Sequence, residues 1–210
     1  MKISRGSAVT LMIVGLLIVD QIIKVIVKLN MTIGESICVL GQKWFQICFT
    51  ENSGFAFGMQ IGGDIGKIIL TLFRLSLICL IIYFLKKRLL KEREVSTGVL
   101  VGVSLVLVGA IGNVIDCLFY GEIFGPSTYY NVADFLPEGG GYAPLLMGKV
   151  VDMFYFPIIK TTLPEWVPFR GGEEFIFFKA IFNFADACIS LGGVYLLLFQ
   201  RKELFKYFDK

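Results

Sequence analysis

The stretch Phe177-Phe178-Lys179-Ala180-Ile181-Phe182-Asn183-Phe184-Ala185-Asp186-Ala187-Cys188-Ile189-Ser190-Leu191-Gly192-Gly193-Val194-Tyr195-Leu196-Leu197-Leu198-Phe199 decides how this chain is read. It is apolar for about 20 residues, roughly what a helix needs to cross a 30 Å hydrocarbon core. Yet Asp186 stands near its head, and Asp152, in Val150-Val151-Asp152, comes shortly before. Ionisable groups kept at a membrane boundary are functional candidates.

Three more stretches have the same character: Ala8 to Leu29, Ile65 to Leu85 and Val95 to Ile115. With 56% hydrophobic and 18% charged residues and a mean hydropathy of +0.75, the chain reads as an α-helical integral membrane protein. The expected fold is a four-transmembrane-helix bundle forming a single membrane-embedded domain over residues 1–210. All six prolines lie between the third and fourth spans, so none breaks a helix inside lipid. Basic residues cluster at Lys2 and Arg5, at Lys86 to Arg93, and at Arg201, Lys202, Lys206 and Lys210. The positive-inside rule assigns these three segments, and both termini, to the cytoplasm, leaving about 30–64 and 119–176 outside. The first apolar run lacks a small-x-small cleavage site after it and reads as a retained helix.

Several function classes fall away. The net charge of +3 is distributed by side of the membrane and implies no nucleic-acid partner. No internal repeat divides the spans into two similar halves, which disfavours a carrier, although intramembrane acids also serve proton relays. The five cysteines show no Cys-x-x-Cys spacing, so no metal site is expected from them; Cys38 and Cys48 share one outer loop, as a disulfide or as free thiols. The absence of histidine removes Ser-His and Cys-His dyads and His-ligated zinc, so a hydrolase here must use carboxylates or lysine. Residues 38–49 are β-branched and aromatic with partial alternation, and Asn52 to Gly58 reads as a turn, which predicts a small β element outside the membrane.

The polar residues fall into constellations. Asp20 and Lys24, four apart, share a helix face; their pairing would lock the first helix into the bundle, and direct contact with substrate is the other reading. Gly109-Ala110-Ile111-Gly112-Asn113-Val114-Ile115-Asp116 ends the third span with small residues for close helix approach and an Asn/Asp pair on one face. Asn183 and Asp186 repeat that Asn-x-x-Asp spacing at the head of the fourth. Two carboxylates converging in a low-dielectric site cannot both ionise easily, so one keeps a proton near neutral pH, making an acid and a base from identical residues. Aspartic-protease chemistry requires only that pair.

These residues resemble the lipoprotein signal peptidase (signal peptidase II) family of intramembrane aspartyl proteases. The resemblance runs in order through Asp20-Gln21-x-x-Lys24, Asn52-x-Gly54-x-Ala56-Phe57-Gly58, Gly109-Ala110-x-Gly112-Asn113-x-x-Asp116, Val150-Val151-Asp152-Met153 and Phe182-Asn183-x-Ala185-Asp186. It implies that Asp152 and Asp186 are the catalytic pair. It further implies that Asp20, Lys24, Asn52, Gly54, Gly112, Asn113, Asp116, Asn183 and Ala185 bind substrate or support the site, with no metal or other cofactor. An extracytoplasmic β cradle, a bacterial cytoplasmic (inner) membrane location and a site near the outer leaflet come with it. The implied substrates are prolipoproteins carrying diacylglycerol on a cysteine, cleaved just before that cysteine; membrane lipid is the other partner. Two departures stand out: Cys117 occupies the place of the family's usual Arg, and the loops around Val150-Val151-Asp152 are long. A second copy of the last motif, Asn131-Val132-Ala133-Asp134, sits among Tyr, Pro and Gly residues with no apolar helix after it, and is expected to be dispensable.

Overall fold

The computed structural model describes residues 3–53, 63–92 and 94–207. Helix α1 (Arg5–Asn30) starts at Ser4, whose hydroxyl accepts the Ser7 N–H at 3.1 Å. Helix α2 (Gly63–Phe84) continues through a π-helical turn, Leu85–Leu89. Helix α3 (Thr97–Ile115), capped by Ser96, runs on through a second π-helical turn, Asp116–Tyr120, into the single turn α4 (Gly121–Ile123). These three helical segments are long and apolar enough to cross a membrane, and α3 is the central one: 61% of its apolar window is buried, against 11% for α1 and 17% for α2. Exposed Leu11, Ile18, Ile22, Ile69, Phe73 and Leu80 give α1 and α2 the surface of a helical membrane protein.

The stretches expected to form the third and fourth spans depart from the sequence expectation. The third does not stop at Ile115, because nothing ends the helix before Phe124 turns extended (φ −114°, ψ 149°). The stretch expected to be the fourth span is not one helix from Phe177. That residue ends a strand, residues 181–182 form another, and helix α5 starts only at Phe184, continuing through a π-helical turn, Leu196–Gln200, into α6 (Arg201–Phe205). Hydropathy does not separate a half-buried strand from the head of a span.

Helices α3 and α5 (Phe184–Tyr195) pack closely through small residues. A Cβ on Gly109 would lie 2.2 Å from the Ala185 carbonyl oxygen, so this approach requires glycine.

One antiparallel sheet has the order β1 (Ser36–Cys38), β2 (Gln46–Asn52), β3 (Val150–Tyr155), β6 (Ile181–Phe182); β4 (Ile159–Thr162) and β5 (Glu174–Phe177) form a separate two-stranded ribbon. The register sets Thr50 opposite Asp152 and Asn52 opposite Val150. Cys48 faces Ser36 and Cys38 faces Gln46, and both cysteines are free thiols. The expected turn from Asn52 to Gly58 lies outside the described residues from position 54 onward.

Two apolar cores result. One lies among the helices around Val99, Leu107 and Leu89; the other lies where the end of α1 meets the sheet, around Phe49, Val151, Met153 and Phe124. The candidate acids sit between them.

Candidate active site

Helix α5 begins with a reciprocal cap. The Asn183 side-chain oxygen accepts the Asp186 N–H at 2.9 Å, while the Asp186 carboxylate faces the Asn183 N–H at 3.5 Å. The Asn-x-x-Asp spacing is therefore a capping box that fixes Asp186 in the first turn. A third N–H of that turn, from Ala185, donates to Asp20 Oδ1 at 3.0 Å. Asp20 thus holds α5 from across the bundle, and Gly112 makes room for it: a Cβ there would meet Asp20 Oδ2 at 2.6 Å and the Ala185 Cβ at 3.0 Å.

Asp152 arrives from the sheet. It is buried on β3, where Asn183 Nδ2 donates to its Oδ1 at 2.7 Å and the Asn52 side chain forms a further hydrogen bond. Asn113 of α3 completes the link: its Nδ2 donates to Asp186 Oδ1 at 2.7 Å, and its Oδ1 accepts from Asn183 Nδ2 at 3.0 Å. Two amides therefore join the carboxylates of Asp152 and Asp186, from segments 34 positions apart in sequence. Burial pushes the Asp152 carboxyl up to about 7, with the neighbouring Asp186 charge adding to the rise and the Asn183 and Asn52 hydrogen bonds opposing it.

Beneath this pair lies a buried charge cluster. The Lys24 ammonium contacts Asp20 at 3.0 Å and Asp116 at 2.9 Å and donates to Asn113 Oδ1 at 3.1 Å. Because an ammonium only donates, it fixes the Asn113 amide with its oxygen toward Lys24 and its nitrogen toward Asp186. Asp116 Oδ2 also accepts the Val151 N–H at 3.2 Å, tying α3 to the strand that carries Asp152. Gln21 adds hydrogen bonds to Asp20 at 3.0 Å and Asp116 at 3.1 Å. Every buried side-chain polar atom among the described residues has a partner, the condition under which buried charges persist.

The structure thus brings Asp152, Asp186, Asp20, Lys24, Asn52, Gly112, Asn113, Asp116, Asn183 and Ala185 into one connected region; Gly54 lies outside the described residues. Asp116 is not at a helix end as expected. It opens the π-helical turn, which directs its carboxylate toward Lys24 and Val151. At the departure from the family pattern, the buried Cys117 receives the guanidinium of Arg74, whose Nη1 lies 3.8 Å from Sγ, so a cation reaches this neighbourhood from α2. Asp134 is exposed in the long loop, and its backbone oxygen accepts the Gly125 N–H at 2.8 Å.

Sequence reasoning missed a second charge cluster. The buried Lys28 pairs with Glu51 and donates to Ser127 at 3.0 Å, while Lys149 reaches Glu51 at 3.3 Å and Tyr142 lies 4.9 Å from the Lys28 ammonium. It clamps α1, β2 and the long loop together. The available signal was Lys28, one turn beyond Lys24 on the same helix face.

Fold and site together define a helical membrane protein whose acids meet where its central helix, its last long helix and an antiparallel sheet converge. The family model described as signal peptidase (SPase) II matches residues 12–201. The lipoprotein signal peptidase of Porphyromonas gingivalis (strain W83) is 48% identical over 197 residues, covering 94% of this chain and 84% of that protein. The lipoprotein signal peptidase of Amoebophilus asiaticus (strain 5a2) is 36% identical over 187 residues, covering 88% and 73%. A solved structure of a bacterial membrane enzyme superposes with a TM-score of 0.62 at 22% identity, covering 96% of this chain and 92% of that one, and supports the fold alone. This chain belongs to the signal peptidase II family.

Proposed function

We propose that the protein is an aspartic endopeptidase that removes signal peptides from diacylglyceryl-modified prolipoproteins, cleaving just before the lipidated cysteine. Asp152 and Asp186 are its acid–base pair. In this reading residues 1–210 form one membrane-embedded peptidase domain in a bacterial inner membrane, with both termini cytoplasmic. Helix α5 with its continuation is the fourth span, and the β1-β2-β3-β6 sheet cradles substrate near the outer leaflet.

The observation that carries this reading is the amide bridge from Asp186 through Asn113 and Asn183 to Asp152, with Asp152 pushed up to about 7. A buried carboxyl that keeps its proton to neutral pH serves as the acid, and its half-buried partner serves as the base. Asp186 takes a proton from water as the water oxygen adds to the scissile carbonyl carbon. Asp152 donates to the carbonyl oxygen, so a tetrahedral diol forms. On collapse the carbon–nitrogen bond breaks, the leaving amine takes the proton held by Asp186, and the carbonyl re-forms as its hydroxyl proton returns to Asp152. The pair ends with the one proton it began with.

Asn113 and Asn183 hold the carboxylates in register, and Lys24, Asp20 and Asp116 hold those amides and the head of α5. The lipid on the substrate favours such a site: anchored acyl chains keep the scissile bond at the bilayer boundary without passing through water.

The test is cleavage of a diacylglyceryl-modified prolipoprotein by purified protein in detergent, with EDTA present throughout, comparing wild type with Asp152→Asn and Asp186→Asn. Cleavage by wild type alone is expected. Full activity in either variant overturns the assignment of the pair.

A further inference from the structure

We propose that the β4–β5 hairpin is a membrane-interface anchor, with Trp166 and Phe169 at its tip seated in the headgroup layer of the bilayer beside the acidic pair. The hairpin is inserted between the strand that carries Asp152 and the helix that carries Asp186, and among the described residues its strands pair only with each other, Ile159 opposite Phe177 through Thr162 opposite Glu174.

Its tip is closed by backbone hydrogen bonds and exposes large apolar side chains. Leu163 and Gly172 close the loop through Leu163 N–H to Glu173 O and Gly172 N–H to Leu163 O, each at 2.9 Å, and Val167 N–H donates to Pro164 O at 3.0 Å. This turn holds Phe169 at φ +65° with its ring fully exposed and leaves Trp166 80% exposed. Ile158, Ile159, Phe177 and Phe178 extend the exposed apolar surface to the root. Such a concentration of aromatic and branched side chains on one small ribbon is unfavourable in water and marks a contact surface.

Charge and position select a lipid surface as the occupant. Lys160 pairs with Glu174 at 2.8 Å and Arg170 with Glu173 at 2.9 Å, so most of the hairpin's charges are compensated and present little field against a headgroup layer. The root is fixed to the bilayer boundary: β5 leads through three residues to β6, then to the Asn183 cap and into α5, with its exposed Ile189, Leu191 and Val194. Four-residue strands rise only about 13 Å, so the tip stays close to the mouth of that helix. Tryptophan with neighbouring apolar side chains is the residue set that headgroup layers favour.

This inference rests on the proposed entry of α5 into the membrane, and is independent of the hydrolytic reading. Trp44 and Trp166 are the two tryptophans of the chain, and Trp44 lies outside the candidate site, so Trp44→Phe leaves Trp166 as a single reporter. The full-length variant is reconstituted in phosphatidylcholine liposomes, with and without phosphatidylcholine brominated in the upper acyl chain. Retention after a carbonate wash tests membrane embedding separately. The expected result is blue-shifted Trp166 emission, at least halved by the brominated lipid and protected from acrylamide; adding Phe169→Ser should weaken the lipid quenching severalfold. Water-like emission, quenched by acrylamide and indifferent to brominated lipid, overturns the proposal. So does blue-shifted emission that brominated lipid leaves unchanged, since the tip would then be covered by protein, a second copy included.

Discussion

Two segments of this chain carry the same four-residue pattern. Asn183-Phe184-Ala185-Asp186 opens a helix, and Asn131-Val132-Ala133-Asp134 lies in a loop. In the first, the asparagine caps the helix and the aspartate is locked at its third position, within reach of Asn113. In the second, the Asn131 N–H donates to Thr128 Oγ1 at 2.9 Å and its carbonyl accepts the Thr128 N–H at 3.0 Å, while both polar side chains face solvent. Only the first copy is followed by a helix and met by polar partners from three other segments, Asp20, Asn113 and Asp152.

The widest separation between the copies should appear in activity. Asp186→Asn is expected to lower the cleavage rate by about 10³-fold or more, the scale on which removing an acid or base acts, and Asp152→Asn by as much. Asp134→Asn should stay within about twofold of wild type. A prolipoprotein cleavage assay on the three variants reads this directly, and a dead Asp134→Asn beside an active Asp186→Asn would reverse the comparison.

The next largest effect concerns the support that only the 183–186 copy has. Lys24→Met leaves Asp20 and Asp116 buried without their cation, a loss of about 3–5 kcal/mol, and frees the Asn113 amide to turn over. Thermal unfolding in detergent should show a large fall in Tm, with activity falling further than stability at temperatures where the variant is still folded. A variant as stable as wild type would mean that the cluster is not an ion pair.

A smaller contrast comes from the asparagines. Asn183→Ala removes the cap and a donor to Asp152, for a stability loss of about 0.5–2 kcal/mol together with reduced turnover. Asn131→Ala removes neither and should unfold with wild type. Equal Tm values for the two would break the structural half of the comparison.

Much of this contrast is legible in the sequence, and its limits have physical causes. An apolar run follows Asp186 and none follows Asp134, so the helix head identifies itself. The Asp20–Lys24 pair and the small residues of α3 follow from helical spacing alone. The start of α5 does not, because Phe177, Ile181 and Phe182 are as apolar in a sheet as in a span. Nor does the direction of the Asp116 carboxylate, which depends on a π-helical turn that no composition marks. The Lys28–Glu51 pair depends on where β2 packs against α1, a contact between positions 23 apart whose strand register is set by pairing with β3. Local periodicity carries no information about such tertiary choices.

The finest test uses pH, and it addresses the buried Asp152 carboxyl directly. Burial raises the Asp152 carboxyl from an ordinary 3.8 to about 7, so the folded protein holds a proton that the unfolded chain has already released. The stability this contributes is fully present below about 4 and is lost as pH rises through about 7. Activity should follow the same proton: above about 7 Asp152 has lost it, the donor to the carbonyl oxygen is gone, and kcat/KM should fall by about tenfold per pH unit. Asp152→Asn cannot ionise, so its Tm should be flatter than that of wild type between pH 4 and 7. An unchanged slope in Asp152→Asn would place the retained proton on another group, and the acid and base roles within the pair would have to be exchanged.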